Sequence, residues 1–305
     1  MSVEGRSAGV AGSGVVITGA SSGIGKACAL YLDSRGWRVF AGVRKAADGE
    51  ALAKAASPRL SPLILDVTDA KTVSDAATQV EKALGDVALI GIVNNAGIGT
   101  GGPVEFLDPS ELRRQMDVNL VGPLTVIQAF MPMIRRGRGR IVNVSSVGGK
   151  VATPFVGPYS ASKFALEALS DSLRAELKPW GIEVSLVEPG AVKTAMFEKA
   201  RSTVDDVLGV LPAEGARYYG NEIEAMRGLI ASQERVAVSA EAVARVVEHA
   251  LIARRPRTRY LVGRDAKLMA FFHWLLPDRA FDRLLATTMR RLSRRASMGK
   301  AEPLD

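Results

Sequence analysis

Histidine and cysteine are nearly absent from this chain: its 305 residues include two histidines and a single cysteine, Cys28. One thiol excludes an internal disulfide framework. With only His249 and His273 beside it, no set of side chains stands ready for a structural zinc, and a reducing compartment is the default. The opening MSVEGRSAGVAGSG has no apolar stretch of the kind a secretion signal needs, and no window offers the roughly 18 consecutive apolar residues of a bilayer span. The expectation is a cytoplasmic protein. Excess charge is also missing from most of the chain. Of 40 Lys and Arg and 32 Asp and Glu, 27 of each precede Arg254, so the whole net charge of +8 lies from Arg254 onward. There is no internal repeat, and no linker before about residue 264.

What is present is enough apolar sequence, 47% of the residues, to bury one large core. Short apolar runs at Val15–Ile17, Arg38–Gly42, Leu63–Leu65, Leu89–Val93, Arg140–Val144, Glu183–Val187 and Thr258–Val262 read as strands. Helical spacing fills the intervals at 25–34, 70–84, 109–135, 159–178 and 239–253. Alternation of this kind predicts an α/β fold, a doubly wound parallel sheet with helices on both faces.

Two local patterns carry chemistry. VVITGASSGIGKA, Val15 to Ala27, follows a predicted strand and opens a predicted helix. There Gly19 allows a tight turn, Gly23 lets the backbone approach a pyrophosphate, and Gly25 permits close packing of helix on strand. The spacing is G-x-x-x-G-x-G, and taken alone it also fits a plain loop. In PFVGPYSASKFALEAL, Pro154 to Leu169, Tyr159 stands four residues before Lys163, so the two share a helix face.

Together with LDVTD from Leu65, NNAG from Asn94, MDVNLVG around Asn119, IVNVSS from Ile141, YSASK from Tyr159 and PGAVKT ending at Thr194, the chain resembles the short-chain dehydrogenase/reductase family over residues 13–195. The single-domain branch of about 250 residues fits best, and the runs 146–169 and 184–197 look most like its 17β-hydroxysteroid and retinol dehydrogenases. The resemblance implies a Rossmann fold in three layers over residues 1–263, with a substrate loop at 195–233. A basic amphipathic C-terminal extension follows at 264–305. It also implies an enzyme that passes a hydride between a CH–OH carbon and a nicotinamide cofactor.

The implied catalytic residues are Asn119, Ser146, Tyr159 and Lys163. Tyr159 is the general acid/base, and Lys163 is expected to favour its phenolate and to grip the nicotinamide ribose. Ser146, 13 residues before the tyrosine, holds the substrate oxygen, with Ser145 structural, and Asn119 orders a water relay. Implied cofactor contacts are Gly19, Ser21, Ser22, Gly23, Ile24 and Gly25 in the loop, Arg44, Asp66, Val67, Asn94, Ala96 and Gly97, the pair Tyr159 and Lys163, and Pro189, Gly190, Val192 and Thr194. No acid ends the second strand. Arg44 and Lys45 follow Val43 instead, and a guanidinium suits a 2′-phosphate, so NADP(H) is favoured over NAD(H).

Met196, Phe197, Val204, Val207, Leu208, Val210 and Leu211 offer an apolar wall for a small lipophilic alcohol or carbonyl substrate. In the tail, AKLMAFFHWLL (266–276) and the series Phe281, Leu284, Leu285, Thr288, Leu292 among arginines 279, 283, 290, 291, 294 and 295 predict two short helices with one greasy side. These are either a lid or dimer-packing element, or a peripheral contact with an anionic bilayer. Nucleic acid is not expected, because the basic stretch holds no reading motif. Family habit implies a homodimer or homotetramer pairing helices 109–135 and 159–178. A non-catalytic NADP(H) sensor and a membrane-associated scaffold are the competing functions.

Overall fold

Nine strands occur among the described residues: β1 (Gly14–Ile17), β2 (Arg38–Val43), β3 (Leu60–Ile64), β4 (Leu89–Asn94), β5 (Arg140–Val144), β6 (Glu183–Pro189), β7 (Val192–Lys193), β8 (Val238–Ser239) and β9 (Arg259–Val262). The computed structural model describes residues 12–299, the last eight by backbone alone. The first eleven residues, the side chains of Leu292, Arg294 and Arg295 and the final residues of the extension lie outside that description. Seven strands form one parallel sheet in the order β3-β2-β1-β4-β5-β6-β9. The central strands are apolar without alternation because both faces are covered. Val15 and Ile17 pack into one core layer, and Val16 packs into the other.

Helices α1 (Gly23–Ser34) and, much later in the chain, α9 (Ala240–Ile252) cover the first face through Cys28, Leu32, Val243, Val247 and Leu251. On the way, α2 (Ala46–Lys54) packs beside the edge strand β3, a helix the sequence pattern did not suggest. The other face is covered by α3 (Ala70–Leu84), whose start is fixed by Asp69 accepting from the N–H groups of Lys71 and Thr72. The expected helix at 109–135 is broken in two. Helix α4 (Pro109–Met116) passes through a π turn at Asp117–Val121 into α5 (Gly122–Gly137). Pro109–Gly137 together is 29 residues long and contains an 18-residue window of mean hydropathy 1.3, enough by length and composition to cross a bilayer, although its apolar residues are not consecutive. Its Val126, Ile127, Phe130, Met133 and Ile134 are buried against the sheet, each such side chain contributing about 1.5–3 kcal/mol by burial, so this is a core helix.

Helix α6 (Gly157–Leu177) packs on β6. Residues 195–233, expected as a substrate loop, are two long helices, α7 (Met196–Val210) and α8 (Ala213–Val236). Their base is pinned by β7 pairing with β8, Val192 with Val238 and Lys193 with Ser239. Phe197, Val204, Ile223, Ile230 and Ala237 form a small core inside this hairpin. The tail forms α10 (Arg264–Leu275), which begins on the fully buried Ala266, and α11 (Asp278–Gly299), which is much longer than the short helix expected. The second of these lies along α8.

Candidate active site

β1 has β2 on one side and β4 on the other, so the winding reverses there. A crevice opens where ligands settle in such sheets, at the carboxyl ends of the strands. Gly19 (φ +65°) turns the chain out of β1 so tightly that a Cβ on it would stand 2.8 Å from Ala96 Cα. A Cβ on Gly25 would sit 2.2 Å from the Gly19 carbonyl oxygen. Asn95 bolts the two loops together, donating to the carbonyls of Thr18 (3.0 Å) and Gly19 (3.1 Å), while the Thr18 hydroxyl accepts from the N–H groups of Asn95 and Ala96, both at 3.0 Å. Ser22 stands at the N-cap of α1 without capping it, and the first turn carries no acid. The helix therefore keeps unpaired N–H groups and its positive end turned to the crevice, with Ser21 and Ser22 exposed. Across the crevice the Thr194 methyl lies 3.4 Å from the position of a Cβ on Gly23.

The remaining expected cofactor contacts fall into two groups. Arg44 and Lys45 are exposed just past β2, and neither side chain has a partner among the described residues. Asp66 accepts from Thr68 through one oxygen, leaving its other edge open. By contrast, the side chains of Val67, Asn94 and Val192 point into the protein. Val67 packs on Gly122, Asn94 donates to Asn143 at 2.9 Å, and Val192 is buried beside β8. Pro189 and Gly190 close β6. The Ser146 hydroxyl lies 3.5 Å from the Pro189 carbonyl and accepts from the Gly148 N–H at 3.0 Å.

Asn119, Ser146, Tyr159 and Lys163 converge on the same end of the sheet. Asn119 is fully buried in the π turn. Its amide accepts from the Ile98 N–H and donates to the Ile98 carbonyl and to the Ser162 hydroxyl, each at 2.9 Å. Ser162 in turn donates to the Tyr159 carbonyl at 2.7 Å. That exchange across strand-end and helix explains the irregular turn, since π bulges accompany such demands. Lys163, 5% exposed, donates to the Val144 carbonyl at 2.9 Å, with its Nζ 5.8 Å from the Tyr159 ring centroid. A Cβ on Gly97 would lie 3.3 Å from Asn119 Oδ1 and 3.8 Å from Lys163 Nζ, so the glycine keeps that space open.

The charges differ from the expectation in one respect. Burial pushes the Tyr159 phenol above its ordinary value, and contact with the Ser146 hydroxyl, not the ammonium, is what opposes it. Burial also brings the Lys163 ammonium down to about 8, with Glu167 working the other way.

Residues 13–205 match the family model for short chain dehydrogenase. The chain is a short-chain dehydrogenase. It is 39% identical over 282 residues to "Retinol dehydrogenase 5" of Mus musculus, covering 89% of this chain and 87% of that protein. To "17-beta-hydroxysteroid dehydrogenase type 6" of Rattus norvegicus it is 37% identical over 285 residues, covering 91% and 89%. Among solved structures, a short chain dehydrogenase from Burkholderia cenocepacia in complex with NADP superposes with a TM-score of 0.69 at 27% identity, covering 90% of this chain and 98% of that one. The protein is an oxidoreductase of the CH–OH and carbonyl class, in the retinol and steroid dehydrogenase branch.

Two features of this dehydrogenase's site escaped the sequence reading. Asp265, in the first turn of α10, accepts from the Ala191 N–H at 2.7 Å and so fastens the segment after β6. A Cβ on Gly190 would come within 2.2 Å of that carboxylate. The only signal was an acid soon after Gly263, where helix starts favour one. Phe155, four residues before Tyr159, is left-handed (φ +66°), a conformation that costs a non-glycine residue about 1–3 kcal/mol. It is held there by the Gly102 N–H donating to its carbonyl at 2.8 Å and by an edge-on ring contact with Tyr219 of α8. No local sequence signal marks that strain. The histidines are taken up elsewhere, His249 lying 3.0 Å from the Tyr260 hydroxyl and His273 edge-on to Phe281.

Proposed function

We propose that this dehydrogenase uses NADP(H) to interconvert an alcohol and a ketone or aldehyde on a lipophilic substrate of steroid, retinoid or fatty type. The observation that carries the reading is the convergence of Asn119, Ser146, Tyr159 and Lys163 at the sheet end that also carries the glycine loop and its uncapped helix N–H groups. The residues present fit a dinucleotide: glycines that let the loop turn tightly against Ala96 and bring α1 close behind it, an uncommitted Ser22 at the helix start, and exposed Arg44 and Lys45 just past β2, whose cations suit a 2′-phosphate. When bound, the nicotinamide supplies the hydride or takes it up.

The chain's own part is to orient and to move a proton. Ser146 holds the substrate oxygen against developing negative charge, and the Tyr159 hydroxyl delivers a proton to that oxygen in reduction and takes it back in oxidation. Lys163 would grip the nicotinamide ribose, and its ammonium stands 5.8 Å from the Tyr159 ring centroid. The buried Asn119 keeps the loop at Ile98 and the helix at Ser162 in register with both. Over the crevice, Val207 of α7 lies 3.4 Å from the position of a Cβ on Gly102, so an apolar lid edge meets the loop where substrate enters. Relatives named for retinol and 17-beta-hydroxysteroids support the lipophilic class, and the NADP-bound neighbour supports the cofactor.

Consumption of NADPH and NADH across a panel of retinoid, steroid and aliphatic carbonyls tests this reading. Turnover is expected with NADPH in the lipophilic arms, and Arg44→Ala is expected to raise KM for NADPH roughly 10- to 100-fold while leaving NADH little changed. Equal effects on both cofactors would overturn the 2′-phosphate assignment. Tight NADPH binding with no turnover anywhere in the panel would instead indicate a nucleotide sensor.

A second reading concerns the tail. α10 exposes Leu268, Phe271, Trp274 and Leu275, with Trp274 at 79%, beside exposed Arg264, Lys267, Arg279 and Arg283. An exposed indole and phenyl ring on a helix with cations nearby in the chain suit the interface of an anionic bilayer. Co-sedimentation with vesicles containing phosphatidylserine is expected for the wild type and is expected to fall at least about tenfold in Phe271→Ser/Trp274→Ser. Equal sedimentation of the two proteins would reject membrane contact through α10.

A further inference from the structure

Behind the Tyr159–Lys163 helix lies a buried group of charges with no part in the mechanism above. Glu167, one turn beyond Lys163 on α6, is 6% exposed, and its carboxylate accepts from Arg259 Nε of β9 at 3.0 Å. Glu188 of β6 is fully buried and pairs with the same guanidinium at 3.2 Å and with Lys150 Nζ at 3.5 Å. The other arm of Arg259 reaches Asp171 at 2.7 Å, and Asp171 also holds Arg174. Gly149, in the short 3₁₀ turn Val147–Gly149 after β5, completes the enclosure. A Cβ there would stand 2.8 Å from Ser145 Oγ and 3.0 Å from Glu167 Cγ, so the turn presses on the Glu167 stem from the side of the strand that receives Lys163.

The groups facing Glu167 are therefore Lys163 and Asp171 on its own helix, Glu188 from β6, Arg259 from β9 and Lys150 from the end of the turn. Two carboxyl groups this close and this dry are costly unless a cation or a proton serves both. Burial, with Glu167 beside it, pushes the Glu188 carboxyl well above the usual carboxylate range, and Arg259 is the cation the two carboxyl groups share. Without a fixed anion nearby, the buried ammonium of Lys163 would rely on the Val144 carbonyl and the face of the Tyr159 ring.

We propose that Glu167 is a positioning residue for the reaction: locked by Arg259 and set against Glu188, its carboxylate is the fixed anion, one turn along α6, that keeps the buried Lys163 ammonium charged. The inference rests on the role given to Lys163 above, and it adds that the helix carries its own counter-ion, tied to β6 and β9, where the chain enters the tail. Removing that anion makes the ammonium easier to discharge. Lys163, already brought down to about 8 by burial, then loses its proton at a lower pH, and the activity that depends on it falls at a lower pH too.

The test compares wild type, Glu167→Gln and Glu167→Asp. In protein labelled with 13C at lysine Cε, the Lys163 resonance is assigned by its disappearance in Lys163→Met. In Glu167→Gln its titration midpoint is expected to drop by about 1 in pH, and the alkaline limb of kcat/KM to move with it, while the rate below pH 6.5 or so stays within about threefold of wild type. Glu167→Asp, which retains the charge, is expected to lie between the two. A Lys163 midpoint unchanged in Glu167→Gln, or a loss of rate uniform across pH, would overturn the proposal. If Glu167→Gln fails to melt cooperatively, Glu167→Gln/Glu188→Gln removes both carboxyl groups while Arg259 keeps Asp171, and the same midpoint decides. Full activity in Lys163→Met would instead refute the reading of the site itself, whatever Glu167 does.

Discussion

Replacing Tyr159 with phenylalanine is expected to lower kcat about 100- to 10,000-fold while leaving NADPH affinity within about threefold of wild type. The substitution removes one oxygen and nothing else. Tyr159 lies at the first turn of α6, where its ring closes on Gly148, a Cβ there standing 3.2 Å from Tyr159 Cε1, and on Gly99 at 3.7 Å. The phenyl ring of the variant fills the same space, so the cradle and Lys163 keep their places. What is lost is a proton donor held uncharged by burial and adjacent to Ser146. Fluorescence titration with NADPH separates binding from steady-state turnover, and a variant that turns over like the wild type would mean another group carries the proton.

The second large effect concerns the cradle. Gly25→Ala places a methyl group 2.2 Å from the Gly19 carbonyl oxygen and 2.4 Å from Asn95 Nδ2. Neither neighbour can yield cheaply. Gly19 is fixed by its left-handed turn against Ala96, and Asn95 by two hydrogen bonds to the loop it supports. Relief requires α1 to back away from β1, breaking packing at Cys28, Ala29 and Leu32. A loss of about 3 kcal/mol is expected, or roughly 6–12 °C in Tm for a domain of this size, together with at least about tenfold weaker NADPH binding. Scanning fluorimetry with and without NADPH reads both, and a wild-type melting temperature in the variant would show that the helix has room the geometry denies.

Local sequence pattern was enough for the parallel sheet and most of its helices, because alternating short apolar runs and 3.6-residue periodicity leave few other packings. It failed where tertiary contacts decide. Strand β3 starts at Leu60, three residues before the expected Leu63. Pro62 sits inside it opposite Ala41, tolerable because β3 is the sheet's edge and one flank needs no donor. Helix α2 was hidden by Gly49, an unfavourable helix residue that is there because a Cβ would come 2.9 Å from that same Pro62. The π turn at Asn119 depends on Ile98 and Ser162, far away in sequence, and could not be seen locally.

The site divides in the same way. Motifs at characteristic spacing located the glycine loop and the residues that converge beside it. Glu167, Glu188 and Arg259 look like ordinary surface charges until folding buries them together. Apolar residues of the 195–233 segment looked like pocket wall. Phe197 and Val204 instead stabilise the hairpin's own core, and Met196 and Val210 face solvent.

Asp265 gives the tail an unexpected reach. Because the backbone just past Gly190 hangs on a carboxylate from the first turn of α10, trimming the chain at residue 263 would not strip away a detachable appendage. It would unlatch the floor beneath Val192 and Thr194, and a truncated enzyme's sluggishness would report that slack hinge before it reported anything about where the protein lives in the cell.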